Sequence, residues 1–172
     1  MRSSPFLRAF RHRNYRLFFG GQLISLTGTW MQSVAESWLV FRLTGSSALL
    51  GVSSFVSLAP VFLFATLGGT VADRTNRHRI IVITQTASMV LPLVLAGLVF
   101  TGHVRVWHVF ALAATLGVVN AFDVPARQAF VIEMVGKDDL VNAIALNSSI
   151  VNGARAVGPA IAGILVAAFG EG

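Results

Sequence analysis

Residues 48–72 read ALLGVSSFVSLAPVFLFATLGGTVA, twenty-five positions without a formal charge. As a helix this stretch rises about 37 Å, more than the roughly 30 Å hydrocarbon core of a bilayer. It does not alternate and is too long for a barrel strand. Four more stretches read the same way: 17–41, 80–101, 106–122 and 140–170. The five cover 120 of the 172 residues and hold two formal charges, Glu36 and Arg155, while the other 52 residues carry 18 of the 20. The fourth reaches full span length once it runs on to Pro125. The reading is an all-α membrane protein with helices at about 17–41, 48–72, 80–101, 106–125 and 140–170.

Composition agrees. Apolar residues make up 55% and charged residues 12%, against about 45–50% and 25% in soluble domains, and the mean hydropathy is +0.74. A soluble helical domain of this size has too little interior for so much hydrocarbon. The chain has no cysteine, which excludes disulfides and thiolate metal sites. A net charge of +6 would suggest nucleic acid in a soluble chain, but here the cations sit in links between spans, so no nucleic-acid role is needed. The first span is too long for the apolar core of a signal peptide, and 32–38 offers no cleavage site of small residues.

Lys and Arg counts in the links set an expected orientation. Residues 1–16 form a basic arm with Arg2, Arg8, Arg11, Arg13 and Arg16. Arg74, Arg77 and Arg79 follow the second span, and Arg127 and Lys137 follow the fourth, which places ten cations on one side. The other side has Arg42 and Arg105. The N-terminus is thus expected in the cytoplasm, with 17–172 forming the transmembrane part. The links are tight, so consecutive helices should be antiparallel neighbours. The longest one, 123–139, contains Pro125 and an amphipathic stretch, 127–135, which is expected to lie as a helix at the inner interface.

Inside the spans, polar residues are few and ordered. Gln22, Ser25, Thr29, Gln32 and Glu36 recur at spacings of three and four, which puts them on one face of the first helix. In lipid such a face points to other helices or to a watery cavity. It is either a hydrogen-bonding seam or part of a substrate or proton site. Arg155 lies mid-span in the fifth helix and shares a face with Ser148 and Asn152. Either it is neutralised structurally, with Glu36 within reach by depth, or it binds and couples. Gly20, Gly21, Gly28, Gly153, Gly158 and Gly163 are expected to allow close helix approach. Pro60, Pro92 and Pro159 are expected to bend their spans.

Two motifs carry a resemblance. Residues 69–79, GTVADRTNRHR, resemble the signature loop of the major facilitator superfamily: Gly, three residues, Asp, a basic residue, any residue, Gly, two basics. Asn76 stands where the second Gly belongs, a mild change if it takes the left-handed conformation, and His78 replaces a basic residue. Asp73 at the helix end is expected to hold the turn by binding backbone amides or guanidinium groups. A generic basic hairpin is the alternative for this loop alone. Residues 153–163, GARAVGPAIAG, resemble the Gly-Pro motif of the fifth helix in that superfamily's antiporters. Residues 13–18, 28–32 and 120–128 resemble the branch containing enterobactin-type siderophore exporters and macrolide efflux proteins.

The resemblance implies a fold and a mechanism. Five helices would form most of one six-helix half of the bundle, an N-terminal fragment that lacks the C-terminal half. Gly69, Asp73, Arg74 and Arg77 would form a cytoplasmic latch, with Asp123 as the partner of Arg77. Gly153, Gly158, Pro159 and Gly163 would shape the fifth helix where the halves meet. Gln22, Thr29, Gln32, Glu36, Asn152 and Arg155 are candidates for a substrate or proton site. The implied activity is proton-coupled export of small amphipathic molecules, such as drugs or siderophores, from a bacterial inner membrane by alternating access. The partners would be lipid, substrate and protons, with no cofactor and no metal. A non-transporting anchor or assembly subunit, or an inactive truncated fragment, is the alternative. An enzyme is disfavoured, because His12, His78, His103 and His108 lie in or beside links and no serine has an evident base.

Overall fold

A computed structural model describes residues 5–169. A 3-10 helix, Pro5–Arg11, leads into five α-helices: α1 (Arg13–Thr44), α2 (Ser47–Arg74), α3 (Arg77–Phe100), α4 (Val106–Val135) and α5 (Leu140–Phe169). All regular structure among the described residues is helical. Four helices are long and apolar enough to cross a membrane: α2, α3, α4 and α5. With 32 residues, α1 has the length, but Gln22, Ser25, Thr29, Gln32 and Glu36 lower its hydropathy. Large apolar side chains point outward, Phe62 at 81% exposure and Ile24 at 77%. That surface suits hydrocarbon and would be untenable in water.

The turns follow from residue type. Gly45, Gly102 and Gly136, which end α1, α3 and α4, take φ of 63°, 69° and 70°, the left-handed cap that side chains resist. Their N–H groups donate to the carbonyls of Phe41, Val99 and Ile132 at 2.7, 3.0 and 3.0 Å. The turn between α2 and α3 is built differently. Asn76 is extended, with φ −64° and ψ 110°, and its Oδ1 accepts from the Arg79 N–H at 3.1 Å. The expectation that Asn76 takes the left-handed conformation is therefore corrected. It replaces glycine as an N-cap, using a side-chain acceptor that glycine lacks.

The expected end of the fourth helix at about 125 is corrected too. α4 runs unbroken from Val106 to Val135, so 127–135 is its last part and not a separate interfacial helix. Proline removes a donor to the carbonyl four residues back, here that of Ala121. Gly68 of α2 lies against that carbonyl so closely that it leaves no room for a Cβ. Across the proline, Asp123 and Arg127 form an ion pair at i, i+4, which only a continuous helix brings together. A second close approach sets Gly117 of α4 against the Ser57 carbonyl of α2, with Pro60 Cγ 3.2 Å from where a Cβ would be.

Contacts divide the described residues into two packed units. The first comprises 5–34 and 130–168. Its core is Ala9, Tyr15, Val131, Val135 and Ala143, surrounded by Phe10, Phe18, Phe19, Met134 and Leu146. Phe10 meets Phe19 edge-on at 4.7 Å, and Phe18 meets Phe130 at 6.2 Å. The second unit, 35–129, has two clusters. Leu39, Val40, Leu95 and Val109 pack near the α1–α2 and α3–α4 turns, and Ala72, Ile80 and Ala126 near the α2–α3 turn.

Candidate functional site

Within the second unit, the motif loop closes α2 onto α3. Gly69 is half-buried in the last turns of α2, Asp73 and Arg74 are exposed, and Arg77 opens α3. The Arg77 Nε donates to the Ala72 carbonyl at 3.4 Å, placing a cation at the negative end of α2. The Asp73 carboxylate makes no hydrogen bond or ion pair among the described residues. The expectation that it holds the turn is corrected, because Asn76 does the capping.

Asp123, on α4, is the buried member of the predicted latch, at 1% exposure. Thr84 Oγ1 donates to its Oδ1 at 2.6 Å and Gln85 Nε2 donates to the same oxygen at 3.2 Å. Arg127 pairs with Oδ2, and its own side chain is 15% exposed. Two neutral donors and one cation thus surround a carboxylate that would otherwise be costly to bury. Sequence reading singled out Asp123 but missed Thr84, Gln85 and Arg127. The four-residue spacing from Asp123 to Arg127 was a readable signal, obscured by the proline between them.

In the first unit, α5 and α1 meet through the Gly-Pro motif. A Cβ on Gly158 would lie 2.6 Å from Trp30 Cβ and 3.0 Å from the Thr27 carbonyl oxygen. The same construction at Gly20, Gly21, Gly28, Gly153 and Gly163 meets nothing within 4 Å. Among the described residues, close approach within this set is seen at Gly158. One turn back along α5, the Arg155 guanidinium sits 5.4 Å from the Trp30 ring centroid.

The other candidate residues sort by exposure. Gln22 is buried, Gln32 and Glu36 are half-buried, and Thr29 and Asn152 are exposed. The Thr29 hydroxyl donates to the Ser25 carbonyl at 3.0 Å, and Asn152 Nδ2 to the Ser148 carbonyl at 2.9 Å. Both bonds satisfy the polar group within its own helix, a common solution where lipid offers no partners. Glu36 belongs to the second unit and the rest of this set to the first.

One cluster in the first unit escaped sequence reading altogether. Asp139, between α4 and α5, is 1% exposed. Arg11 Nε lies 2.9 Å from its Oδ2, His12 Nε2 3.0 Å from the same oxygen, and Arg8 Nε 3.5 Å from Oδ1. The His12 hydrogen bond and the Arg11 and Arg8 charges hold its carboxyl below the usual carboxylate range, against the opposing effect of burial. Beside it the Ala9 N–H donates to Asn142 Oδ1 at 2.9 Å, and the Tyr15 hydroxyl to the Ala143 carbonyl at 3.0 Å. The basic arm thus anchors the start of α5, a role that a charge count alone did not suggest.

Known proteins resemble the chain along most of its length. The family described as transmembrane secretion effector matches residues 3–172. The staphyloferrin A transporter of Staphylococcus aureus is 28% identical over 90% of this chain and 39% of its own length. Macrolide efflux protein A of Streptococcus pyogenes is 24% identical over 90% of this chain and 39% of its own. An uncharacterized MFS-type transporter of Bacillus subtilis, YfiS, is 25% identical over 86% of this chain and 34% of its own. The chain thus spans well under half the length of these relatives. No solved structure matches it. With membrane-length helices and a family model that takes in nearly every residue, the chain belongs to the transmembrane secretion effector family of the major facilitator superfamily, and it is an integral membrane protein.

Proposed function

We propose that this chain is the N-terminal part of a secondary transporter that exports small amphipathic molecules in exchange for protons, by alternating access in a bacterial inner membrane with its N-terminus in the cytoplasm. The observation that carries this reading is the polar face of α1, from Gln22 to Glu36, in a chain matched by a transporter family over 3–172. A relative named for macrolide efflux supports export as the direction, and the names of that relative and of the staphyloferrin A transporter support the reading of the cargo. A C-terminal half supplying the opposing wall of the cavity belongs to the proposal, since alternating access needs two halves that rock.

Within it, Gly69, Asp73, Arg74, Arg77 and Asp123 act as the latch that closes the cytoplasmic side. The Thr84–Gln85–Arg127 cluster holds Asp123 fixed in α4, ready to engage Arg77 as the helices shift. Gly158 and Pro159, with Gly153 and Gly163, give α5 the shape it needs where the halves meet. Glu36 is the proton carrier: burial favours its neutral form and contact with water its charged form, so alternating exposure drives uptake and release.

The test uses inside-out vesicles carrying the protein, an imposed proton gradient and a fluorescent amphipathic dye. Uptake that collapses with a protonophore, falls at least tenfold in Glu36→Gln and several-fold in Asp73→Asn, supports the reading. Wild-type flux in both variants removes those residues from it, and flux indifferent to the gradient removes proton coupling.

A further inference from the structure

We propose that Arg155 is an anion-recognition group held in position by Trp30, so that the exported molecule carries a carboxylate or similar acidic group. This deepens the exporter reading and rests on it.

Arg155 is near the middle of α5, about 22 Å along a helix apolar enough to cross a membrane. A guanidinium at that depth costs roughly 2.5–3.5 kcal/mol on insertion scales, and such groups are normally paired with a carboxylate. Here none is in place. Neither 13–34 nor 140–169 contains an Asp or Glu, and among the described residues Arg155 makes no ion pair and no hydrogen bond. Its contact is the Trp30 ring at 5.4 Å. An aromatic face attracts a cation without neutralising it, so the positive charge stays available. The side chain is also exposed, and the guanidinium keeps its planar fork of donors for a carboxylate.

Trp30 is built into this arrangement. Its Cβ occupies the space that any side chain at position 158 would need, so the indole is seated on α5 by a glycine one turn from the arginine it supports. Gly158 is thereby tied to Arg155 through the ring between them. A cationic ligand would meet repulsion here. An acidic one would supply the missing counter-charge and gain from the low dielectric of the span.

The experiment uses the purified protein in lipid nanodiscs and two fluorescent amphiphiles that differ by one charge, anionic dansylglycine and neutral dansylamide. Dansylglycine is expected to bind at least tenfold more tightly. Arg155→Gln should erase that preference and Arg155→Lys keep part of it. Trp30→Leu should weaken dansylglycine several-fold while changing dansylamide less than twofold, with Trp30→Phe restoring part of the loss. A merely structural Trp30 would weaken both probes alike, which would overturn its positioning role. Equal affinities in the unmodified protein, or a preference that survives Arg155→Gln, would overturn the anion assignment and leave the exporter reading standing. Binding of neither probe would overturn the cavity reading and this inference together.

Discussion

Asp123 and Asp139 are each 1% exposed, yet the groups that hold them come from different ranges of sequence. Asp123 has a cation four residues away on its own helix and two neutral donors from α3. Asp139 is held by three side chains more than 120 residues away, two of them arginines that remain over half exposed. The first is a desolvated cluster inside a membrane-length helix. The second is a partly solvated clasp of the N-terminal segment onto the start of α5. The comparison teaches that equal burial of a carboxylate does not imply equal dependence on its partners, because solvent screens the second set of charges and not the first.

The largest effect is expected at the desolvated cluster. Asp123→Ala leaves Arg127 without its counter-charge, and breaking a buried pair from one side costs about 3–5 kcal/mol. The apparent melting midpoint in detergent should fall steeply, and a second substitution, Arg127→Leu, should recover much of it. A midpoint within a degree of wild type would erase the contrast between the two aspartates.

Next come the close helix approaches, one in each unit. Gly68→Val drives a side chain into the Ala121 carbonyl, and Gly158→Ala drives one into Trp30. Overpacking of this kind costs about 1–3 kcal/mol. Both glycines face atoms fixed to a neighbouring backbone, but the space is tighter at Gly68 and alanine adds less than valine, so the second change should be the milder. Thermal unfolding of both variants ranks them.

At Asp139 the expected effect is a pH dependence. Its carboxyl is held below the usual range when folded, so its contribution is present above the unfolded value of about 3.9 and is lost as pH falls through the folded one. Between pH 5 and pH 3 the wild-type midpoint should therefore drop further than that of Asp139→Asn. Parallel curves would show that the clasp adds nothing to stability. The smallest change is Gly153→Ala, where a Cβ meets nothing within 4 Å. It should move the midpoint by no more than about 0.5 kcal/mol, even though Gly153 and Gly158 belong to one motif.

Hydropathy and spacing were enough to locate the helices and the polar face of α1, since transfer into hydrocarbon and helical periodicity are local and roughly additive along the chain, while the motifs at 69–79 and 153–163 carried the resemblance to the family. The same local reading identified Asp123, Arg155 and Gly158 as unusual. It misjudged Pro125 and Asn76, where a neighbouring helix or a side-chain cap offsets what the residue type alone suggests. Tertiary structure alone decided which glycine lies against a neighbouring helix, that Trp30 lies beside Arg155, and that the basic arm clasps Asp139. Those outcomes depend on atoms distant in sequence meeting within 2.9 to 5.4 Å, and no periodicity along the chain encodes which distant atoms will meet.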